Sequence, residues 1–298
     1  MVPLVGLIEL ALHVRQVSSV VPDADWLAAR EIVAAEIGDD DLVTFAPYWS
    51  DPLGRRFFGD GLMTLARAGR SDEARFRRAF EVSIRGAHDP TLSRWRKAGE
   101  KRAGAVTVTV LENPAPERVV EDLVSLVAPG RLSVTRLEAS GEESPCPFQR
   151  GASAGGSTVV PQGLLTPADK FVCPGGGHVG VAVLHDLDHR PRRCIYATPI
   201  GGATLRLRFA SVAFGEALVG HSGVQWVAER TPSAERTRVT FATPGGMVGE
   251  HVHKQGAGWV GFELPTPELA GARADLVADI VGTQRQSCFE ATTRSRGQ

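Results

Sequence analysis

The sequence lacks a surplus of charge of either sign. Its 33 lysines and arginines are matched by 34 aspartates and glutamates, for a formal net charge of −1. Proteins that bind nucleic acid mainly through its phosphates need more basic than acidic residues. We therefore expect no nucleic-acid partner. The 298 residues are 43% hydrophobic, which is typical of a globular chain that folds into about two domains.

Long hydrophobic runs are also missing. The most apolar stretch, residues 2–14, is about 13 residues long and contains Glu9 and His13, whereas a spanning helix needs about 20. It also lacks the basic start and the cleavage site of a signal peptide. Three interpretations stay open: an amphipathic first helix, a weak membrane anchor, and the tail of a transmembrane segment. We favour a membrane-proximal helix over residues 1–20 and expect an extracytoplasmic protein, periplasmic or in the cell envelope, that is membrane-associated through this helix.

Cysteine is scarce, and no two cysteines have C-x-x-C spacing, which argues against a zinc ribbon or a redox pair. The alternatives are four buried thiols in a cytosolic protein or two disulfides. We favour disulfides. Cys194 and Cys288 lie in an early and the last expected strand of one module, and such strands are often neighbours. Cys146 and Cys173 would then pair across a Gly/Ser-rich segment.

No motif names a reaction. G-x-S-x-G, H-E-x-x-H, a phosphate-binding loop and a dinucleotide fingerprint are all absent from the sequence. We therefore expect no catalytic residues, no cofactor and no metal, and a binding role rather than an enzyme.

The first half of the chain alternates between helix and strand patterns. We predict helices over residues 23–38, 71–86 and 116–130 and strands over 42–47, 105–114 and 132–138, with a polar loop over 48–61. Alternation of this kind indicates a small α/β layer domain, placed at residues 21–140.

The second half changes character. Residues 141–170 are rich in Gly, Ser and Pro and are predicted to be a linker. From residue 171 to 298, short alternating runs recur at about ten-residue spacing, which indicates an antiparallel β-sandwich. The fold class expected is α+β with two domains, the second a jelly-roll sandwich.

Two resemblances bear on function. The stretches "LRLRFASVAFGEALVGHSGVQWVAER", "TRVTFATPGG" and "GWVGFELPTPELAGARADLVADIVG" resemble galactose-binding-like jelly-roll domains. Many such domains bind glycans and others are structural. The stretch "ADWLAAREIVAAEIGDDDLVTFAPYW" weakly resembles the extracytoplasmic part of bacterial glycosyltransferases that use lipid-linked sugars. That resemblance covers only residues 20–50 and implies no transferase activity.

The first candidate site is the loop after the strand at 42–47, because ligands of open α/β sheets bind at the carboxyl edge of the strands. Its aromatic rings suit sugars and its arginines suit carboxylates or phosphates. The candidate residues are Tyr48, Trp49, Asp51, Arg55, Arg56 and Asp60. The alternative is a structural loop with Trp49 in the core and Arg55 paired with Asp51 or Asp60.

Histidines supply the other candidates. His251 and His253 share one face of a strand, the spacing of a metal-ligand pair, but no third ligand is adjacent. We favour a hairpin with outward-facing histidines, a turn at Gly256 and Gly258, and Trp259 in the core.

Three further features are weighed with these histidines. Trp226 and Trp259 are candidate glycan contacts, and glycan contact is also weighed for His251 and His253. His88 beside Asp89 is either a general base or the end of a helix that also carries Arg85. The segment 185–193 is either a metal cluster or a hairpin turn.

The function expected is non-catalytic recognition of a glycan or of an envelope protein outside the cytoplasm. Two alternatives stay open: an accessory or degenerate component of a membrane sugar-transfer system, and a purely structural envelope protein.

Overall fold

The computed structural model describes most of the chain after residue 19. The described residues are 5, 6, 9, 20–151, 167–199, 202–230, 236–282 and 287–296. Their contacts divide the chain into two compact units, each described by itself below. The first unit comprises residues 1–67 and 76–116, and the second comprises residues 68–75 and 117–298.

The first unit is a four-stranded sheet with helices. Its elements are α1 (Asp23–Ala34), β1 (Asp41–Ala46), a 3-10 turn (Tyr48–Ser50), α2 (Asp51–Leu62), β2 (Arg78–Ile84), a 3-10 turn (Pro90–Leu92), β3 (Arg96–Ala103) and β4 (Val106–Glu112), with α3 (Leu65–Ala68) at the boundary. The strand order is β1–β2–β4–β3. The pair β1–β2 is parallel and the other two pairs are antiparallel. Helix α1 buries Trp26, Ala29 and Val33, a spacing that places one apolar stripe against the sheet.

Two predictions for the first unit are wrong. Residues 78–84 form strand β2 rather than part of a helix, because β2 lies between β1 and β4 and is buried on both faces. A strand buried on both faces has no polar alternation, so its sequence can be mistaken for a helix. The segment 51–62, expected to be loop, is helix α2.

Within its described residues, the second unit contains fourteen strands in two sheets. Its strands are β5 (Arg118–Asp122), β6 (Leu132–Leu137), β7 (Glu143–Pro145), β8 (Phe148–Gln149), β9 (Lys170–Val172), β10 (His178–His185), β11 (Pro191–Ala197), β12 (Thr204–Ala213), β13 (Ala217–Gly223), β14 (Arg236–Thr243), β15 (Gly246–Lys254), β16 (Val260–Pro265), β17 (Arg273–Val281) and β18 (Ser287–Ser295). Two 3-10 turns (Leu123–Leu126 and Pro267–Leu269) and a short helix α4 (Trp226–Glu229) connect them.

These strands form an antiparallel sandwich. The eight-stranded sheet has the order β16–β13–β18–β11–β10–β9–β8, with β5 also paired to β18, and the six-stranded sheet has the order β15–β14–β17–β12–β6–β7. Alternate residues of the strands point inward: in β12, Leu205, Leu207 and Phe209 are fully buried between the sheets. Arg206 and Arg208 lie between them in sequence and face outward. The α+β class and the β-sandwich are confirmed.

Several boundaries differ from the sequence expectation. Residues 117–140, placed with the first domain, group with the sandwich instead. The helix predicted over 116–130 is strand β5 followed by a 3-10 turn, because β5 pairs with β18. The predicted linker contains β7 and β8, while residues 152–166 lie outside the described part of the chain. Residues 226–229, expected in a strand, form helix α4.

Both predicted disulfides are confirmed. Cys194 in β11 pairs with Cys288 in β18, and these two strands are neighbours in the eight-stranded sheet. Cys146 pairs with Cys173 across 27 residues of sequence. Both bonds lie in the second unit.

The segment 246–265 is not the expected hairpin. Strand β15 belongs to the six-stranded sheet and β16 to the eight-stranded sheet, so the chain crosses from one sheet to the other. Gly256 and Gly258 in the crossover have φ of 87° and 74°, a backbone region that favours glycine.

The predicted N-terminal helix over 1–20 lies mostly outside the described residues. Val5, Gly6 and Glu9 are helical and exposed. Among the residues described, we find no helix with both the length and the apolar character needed to cross a membrane.

Candidate functional site

Two exposed aromatic rings stand at the carboxyl end of β1. Tyr48 is 73% exposed and Trp49 is 53% exposed. Both lie on the 3-10 turn, where the buried Ser50 hydroxyl donates a hydrogen bond of 2.7 Å to the carbonyl of Pro47. The buried hydrogen bond therefore fixes the backbone of the turn, while the two aromatic rings face solvent. We call this pair the aromatic platform.

Arg85 joins the platform from the neighbouring strand. Because β1 and β2 are parallel, their carboxyl ends meet at one edge of the sheet, and the Arg85 guanidinium lies 5.9 Å from the centre of the Trp49 ring. Arg85 and Gly86 have φ of 57° and 70° and form a tight turn closed by the bond from Ala87 N to Ile84 O. A positive φ is uncommon for arginine. The sequence had placed this residue at a helix end.

A buried carboxylate orders the loop that follows Arg85. Glu81 is 1% exposed; one of its oxygens accepts the backbone N–H of Asp89 at 2.6 Å and the other lies 2.9 Å from Nδ1 of His88. Asp89 in turn accepts a bond from the Thr44 hydroxyl. His88 therefore lies in a loop after β2 and not at a helix end. Its contact with Glu81 helps to hold this loop at the edge of the sheet, which is a structural role.

The other four residues of this candidate site do not join the aromatic platform. Arg55 and Asp51 have a structural role, and Arg56 and Asp60 lie elsewhere on α2. Arg55 binds Asp51 at 2.8 Å one helical turn away, and Asp51 is 8% exposed. This is the pairing weighed as the structural alternative. Arg56 and Asp60 are exposed on α2, where the Arg56 guanidinium lies 5.8 Å from the Phe57 ring.

Trp259 is part of the packing of the second unit. It lies against the cluster around the Cys194–Cys288 bond. Its indole N–H donates to Ser71 Oγ at 3.1 Å, and its ring stacks on His221 with 6.3 Å between centroids. Trp226, in contrast, is half-buried on α4 between His189 and Arg230, whose groups lie 5.4 and 4.9 Å from its ring.

His251 and His253 are buried, so the expectation that they face outward is wrong. They are 9% and 4% exposed and point between the two sheets. Ser222 Oγ lies 2.6 Å from His251 Nε2 and 3.1 Å from His253 Nδ1, and His253 Nε2 lies 3.0 Å from Glu229 Oε1. We call these four residues the histidine chain. A strand with a two-residue period places both histidines on one face, but the period alone does not say which face.

The histidine chain has the order of a nucleophile, a base and an orienting acid. Ser222, however, is 3% exposed and Glu229 is 5% exposed. A substrate has no open surface from which to reach the serine, so the chain is a structural network here. In the described part of the molecule, no three His, Cys, Asp or Glu side chains are grouped to hold a metal.

The segment 185–193 is a hairpin turn. The Asp186 carboxylate accepts bonds from the backbone N–H of Asp188 and of Arg190, and it binds Arg192 Nε at 2.7 Å. Strands β10 and β11 pair on either side of it. The carboxylate that composition alone offered as a metal ligand is occupied in closing the turn.

Comparison with known proteins finds only distant structural similarities. No family model matches the sequence, and no curated protein matches it significantly. Among solved structures, a carbohydrate-binding module that recognises mannan aligns with a TM-score of 0.28 at 10% identity over 41% of this chain and 84% of that one. A promiscuous carbohydrate-binding module of the β-sandwich superfamily aligns at 0.31 and 10% over 65% and 69%.

A third solved structure is the family 11 carbohydrate-binding module of a Clostridium thermocellum cellulosomal cellulase. It aligns with a TM-score of 0.27 at 9% identity over 61% of this chain and 94% of that one. All three are described as carbohydrate-binding modules, and similarities this distant transfer neither a family nor a ligand to this chain. The weak resemblance of residues 20–50 to glycosyltransferase segments stays a prediction.

Proposed function

We propose that this protein is a non-catalytic, extracytoplasmic binding protein that recognises a glycan at the aromatic platform of its first unit. The observation that carries the proposal is the exposure of two adjacent rings, Tyr48 at 73% and Trp49 at 53%. Large aromatic side chains bury 150–250 Å² each in cores and interfaces. Two such rings left in solvent on an ordered turn are therefore available for a ligand.

The chemistry of the platform suits a sugar. The negative π face of an aromatic ring attracts the weakly positive C–H bonds on the flat face of a pyranose, in the way that it attracts the positive edge of another ring. Arg85 is exposed beside Trp49. A guanidinium donates several directed hydrogen bonds, which suit hydroxyl, carboxylate or phosphate oxygens.

The two disulfides support the extracytoplasmic part of the proposal. Cys146–Cys173 and Cys194–Cys288 account for all four cysteines of the chain. Disulfides form and persist mainly in oxidising compartments such as the periplasm and the extracellular space. The proposal does not require attachment to a membrane.

The test is a glycan microarray probed with the full chain, followed by calorimetry on any glycan bound. Trp49→Ala is expected to weaken binding by at least about tenfold, because removing a central aromatic contact commonly costs more than 1.4 kcal/mol. Tyr48→Ala is expected to have a smaller effect in the same direction.

Trp226→Ala is the matched control, since Trp226 is a partly exposed tryptophan in the second unit. It is expected to bind like the wild type. If Trp226→Ala abolishes binding and Trp49→Ala does not, the glycan site lies on the sandwich. A chain that binds no glycan at all, with both units folded, contradicts the proposal. The two remaining alternatives, a sugar-transfer accessory component and a structural envelope protein, stay predictions.

A further inference from the structure

The hydrogen bonds of the histidine chain have a defined direction when both histidines are neutral. Glu229 receives the backbone N–H groups of Val224 and Gly256, so it is held as a carboxylate acceptor. His253 then donates Nε2–H to Glu229 and its Nδ1 must accept. Ser222 donates its hydroxyl proton to that Nδ1, and the serine oxygen accepts from His251 Nε2–H.

The chain can take up one proton and keep every bond. A proton on His253 Nδ1 reverses the chain: His253 donates Nδ1–H to the Ser222 oxygen, and Ser222 donates to His251 Nε2. His251 stays neutral in this state, with its own proton moved from Nε2 to Nδ1. The imidazolium of His253 is then paired with Glu229, 3.0 Å away.

A second proton cannot be accommodated. With both histidines charged, His251 and His253 each present an N–H to the same serine oxygen, and the serine's own proton has no acceptor in the chain. One carboxylate would face two imidazolium groups.

In the described part of the molecule, His251 itself has no carboxylate partner. Its ring stacks on Phe262 of β16 at 4.6 Å. The titratable groups near it are His253 on its own strand, His221 on β13 and Glu229 on α4. His221 is itself paired with Glu290 of β18 at 2.8 Å. Burial lowers the pKa of His251, and the positive charges that His253 and His221 can carry lower it further.

The histidine chain also connects the two sheets of the sandwich. Ser222 lies on β13 of the eight-stranded sheet, and His251 and His253 lie on β15, an edge strand of the six-stranded sheet. We propose that the histidine chain is an acid-sensitive latch that closes one side of the sandwich at neutral pH and releases β15 when His251 is protonated.

The direction of the effect follows from linkage. The folded protein holds His251 neutral at pH values where an unfolded histidine, with a pKa of about 6.5, already binds a proton. The closed state is therefore fully favoured above about pH 6.5 and loses stability as the pH falls below that value. Within this window one extra proton bound in the open state raises the opening constant about tenfold per pH unit.

The experiment follows amide hydrogen exchange of the full chain from about pH 7.5 to about pH 5, corrected for the intrinsic pH dependence of exchange. Protection of β15 is expected to fall about tenfold per pH unit below the onset, while β12 in the centre of the same sheet keeps its protection. NMR titration of the histidine Cε1 resonances in the wild type measures the pKa of His251 directly, and this pKa is expected to lie below the ordinary histidine value of about 6.5.

His251→Gln keeps a side-chain N–H for Ser222 but cannot titrate, and it is expected to abolish the loss of protection. His185→Gln, a change at an exposed histidine, is the matched control and is expected to behave like the wild type. The latch is refuted if the pKa of His251 is at or above the ordinary value of about 6.5, or if β15 protection in the wild type does not depend on pH. The NMR titration decides the question even if His251→Gln fails to fold.

Discussion

The two units differ in how their folds are stabilised. The first unit has no covalent cross-link and packs α1 and α2 against a four-stranded sheet, with Trp26, Phe58 and Phe80 fully buried. The second has two disulfides and a core shared between two sheets. The difference shows that one chain can combine a helix-covered sheet, which depends on close packing alone, with a sandwich that is also constrained covalently.

The units also differ in where they place their aromatic and imidazole rings. The first unit exposes Tyr48 and Trp49 at a strand end, whereas the second hides His251 and His253 between its sheets. A ring on a turn after a strand is accessible to solvent. A ring within a strand is buried or exposed according to which face of that strand the other sheet covers.

The largest expected effect that would test this comparison is loss of the Cys194–Cys288 bond. Replacing both cysteines with alanine is expected to destabilise the second unit by about 4–5 kcal/mol, because the bond closes a long loop in the unfolded chain; the two residues are 94 apart in sequence. Replacing Cys146 and Cys173 is expected to cost about 1 kcal/mol less, since 27 residues separate them. Amide hydrogen exchange, followed separately for the residues of the first and the second unit, measures this loss of stability. Equal loss of protection in the first unit would contradict the separate stabilisation of the two units.

A packing change should act on the first unit alone. A Cβ at Gly54 would lie 2.2 Å from Cδ1 of the Phe45 ring, so Gly54→Ala is expected to cost about 1–3 kcal/mol through overpacking. Gly61→Ala on the same helix meets nothing within 4 Å and is expected to be neutral or slightly stabilising. Urea unfolding followed by unit-resolved exchange separates the two variants. A Gly54→Ala protein as stable as Gly61→Ala would show that the close approach of α2 and β1 is not needed.

Acid should weaken the second unit through a further histidine. Burial, and then the charge of Lys170, lower the pKa of His178 to about 4. Its neutral form is favoured in the fold, so the stability it contributes is complete above about pH 6.5 and is lost as the pH falls towards 4. After allowance for partial exposure we expect a loss of about 1–2 kcal/mol. Urea titrations at several pH values should show a flatter profile for His178→Gln. An unchanged profile would assign the acid sensitivity to other groups.

The smallest expected effect concerns residues 68–75, which lie before β2 in sequence but belong to the second unit. Arg294 binds Asp72 at 2.6 Å, and Trp259 donates to Ser71. Ser71→Ala is expected to cost about 1 kcal/mol, the usual value of a hydrogen bond, and to lower protection in the second unit only. Ser125→Ala, at an exposed serine of the same unit, is a control with an expected cost below that value.

Much of the strand pattern could be predicted from residues alone. The alternation in 204–213 and 273–281 shows one apolar face and one polar face, which is the condition for a half-buried strand. The Cys194–Cys288 pair was predicted from an early and the last strand of the expected module, and it forms because β11 and β18 are neighbours in the sheet, although β11 follows six other strands of the unit. The helices predicted over 71–86 and 116–130 were wrong because short apolar runs fit both periods, and the pairing of β2 and β5 with distant strands decides between them.

The candidate sites divide in the same way. The position of Tyr48 and Trp49 after a buried strand was visible in sequence, but the partnership with Arg85 depends on the parallel pairing of β1 and β2. Nothing in the sequence marks Ser222 or Glu229, because neither lies in a motif and both meet the histidines only through the crossing of two sheets.

Composition and local pattern by themselves determined the α+β class, the sandwich in the second half and the absence of a charge surplus. These features depend on the period of the side chains, on the order of the elements and on the counts of charged residues. The two disulfide pairs were expected from the sequence, and the neighbouring strands of the sheet decided them. Tertiary structure alone decided which face of β15 is buried and to which unit residues 68–75 and 117–140 belong. It also decided that the two histidines of β15 are hydrogen-bonded in one chain with Ser222 and Glu229. Side-chain period fixes faces only relative to one another, and the choice between core and solvent is made by contacts with strands far away in sequence.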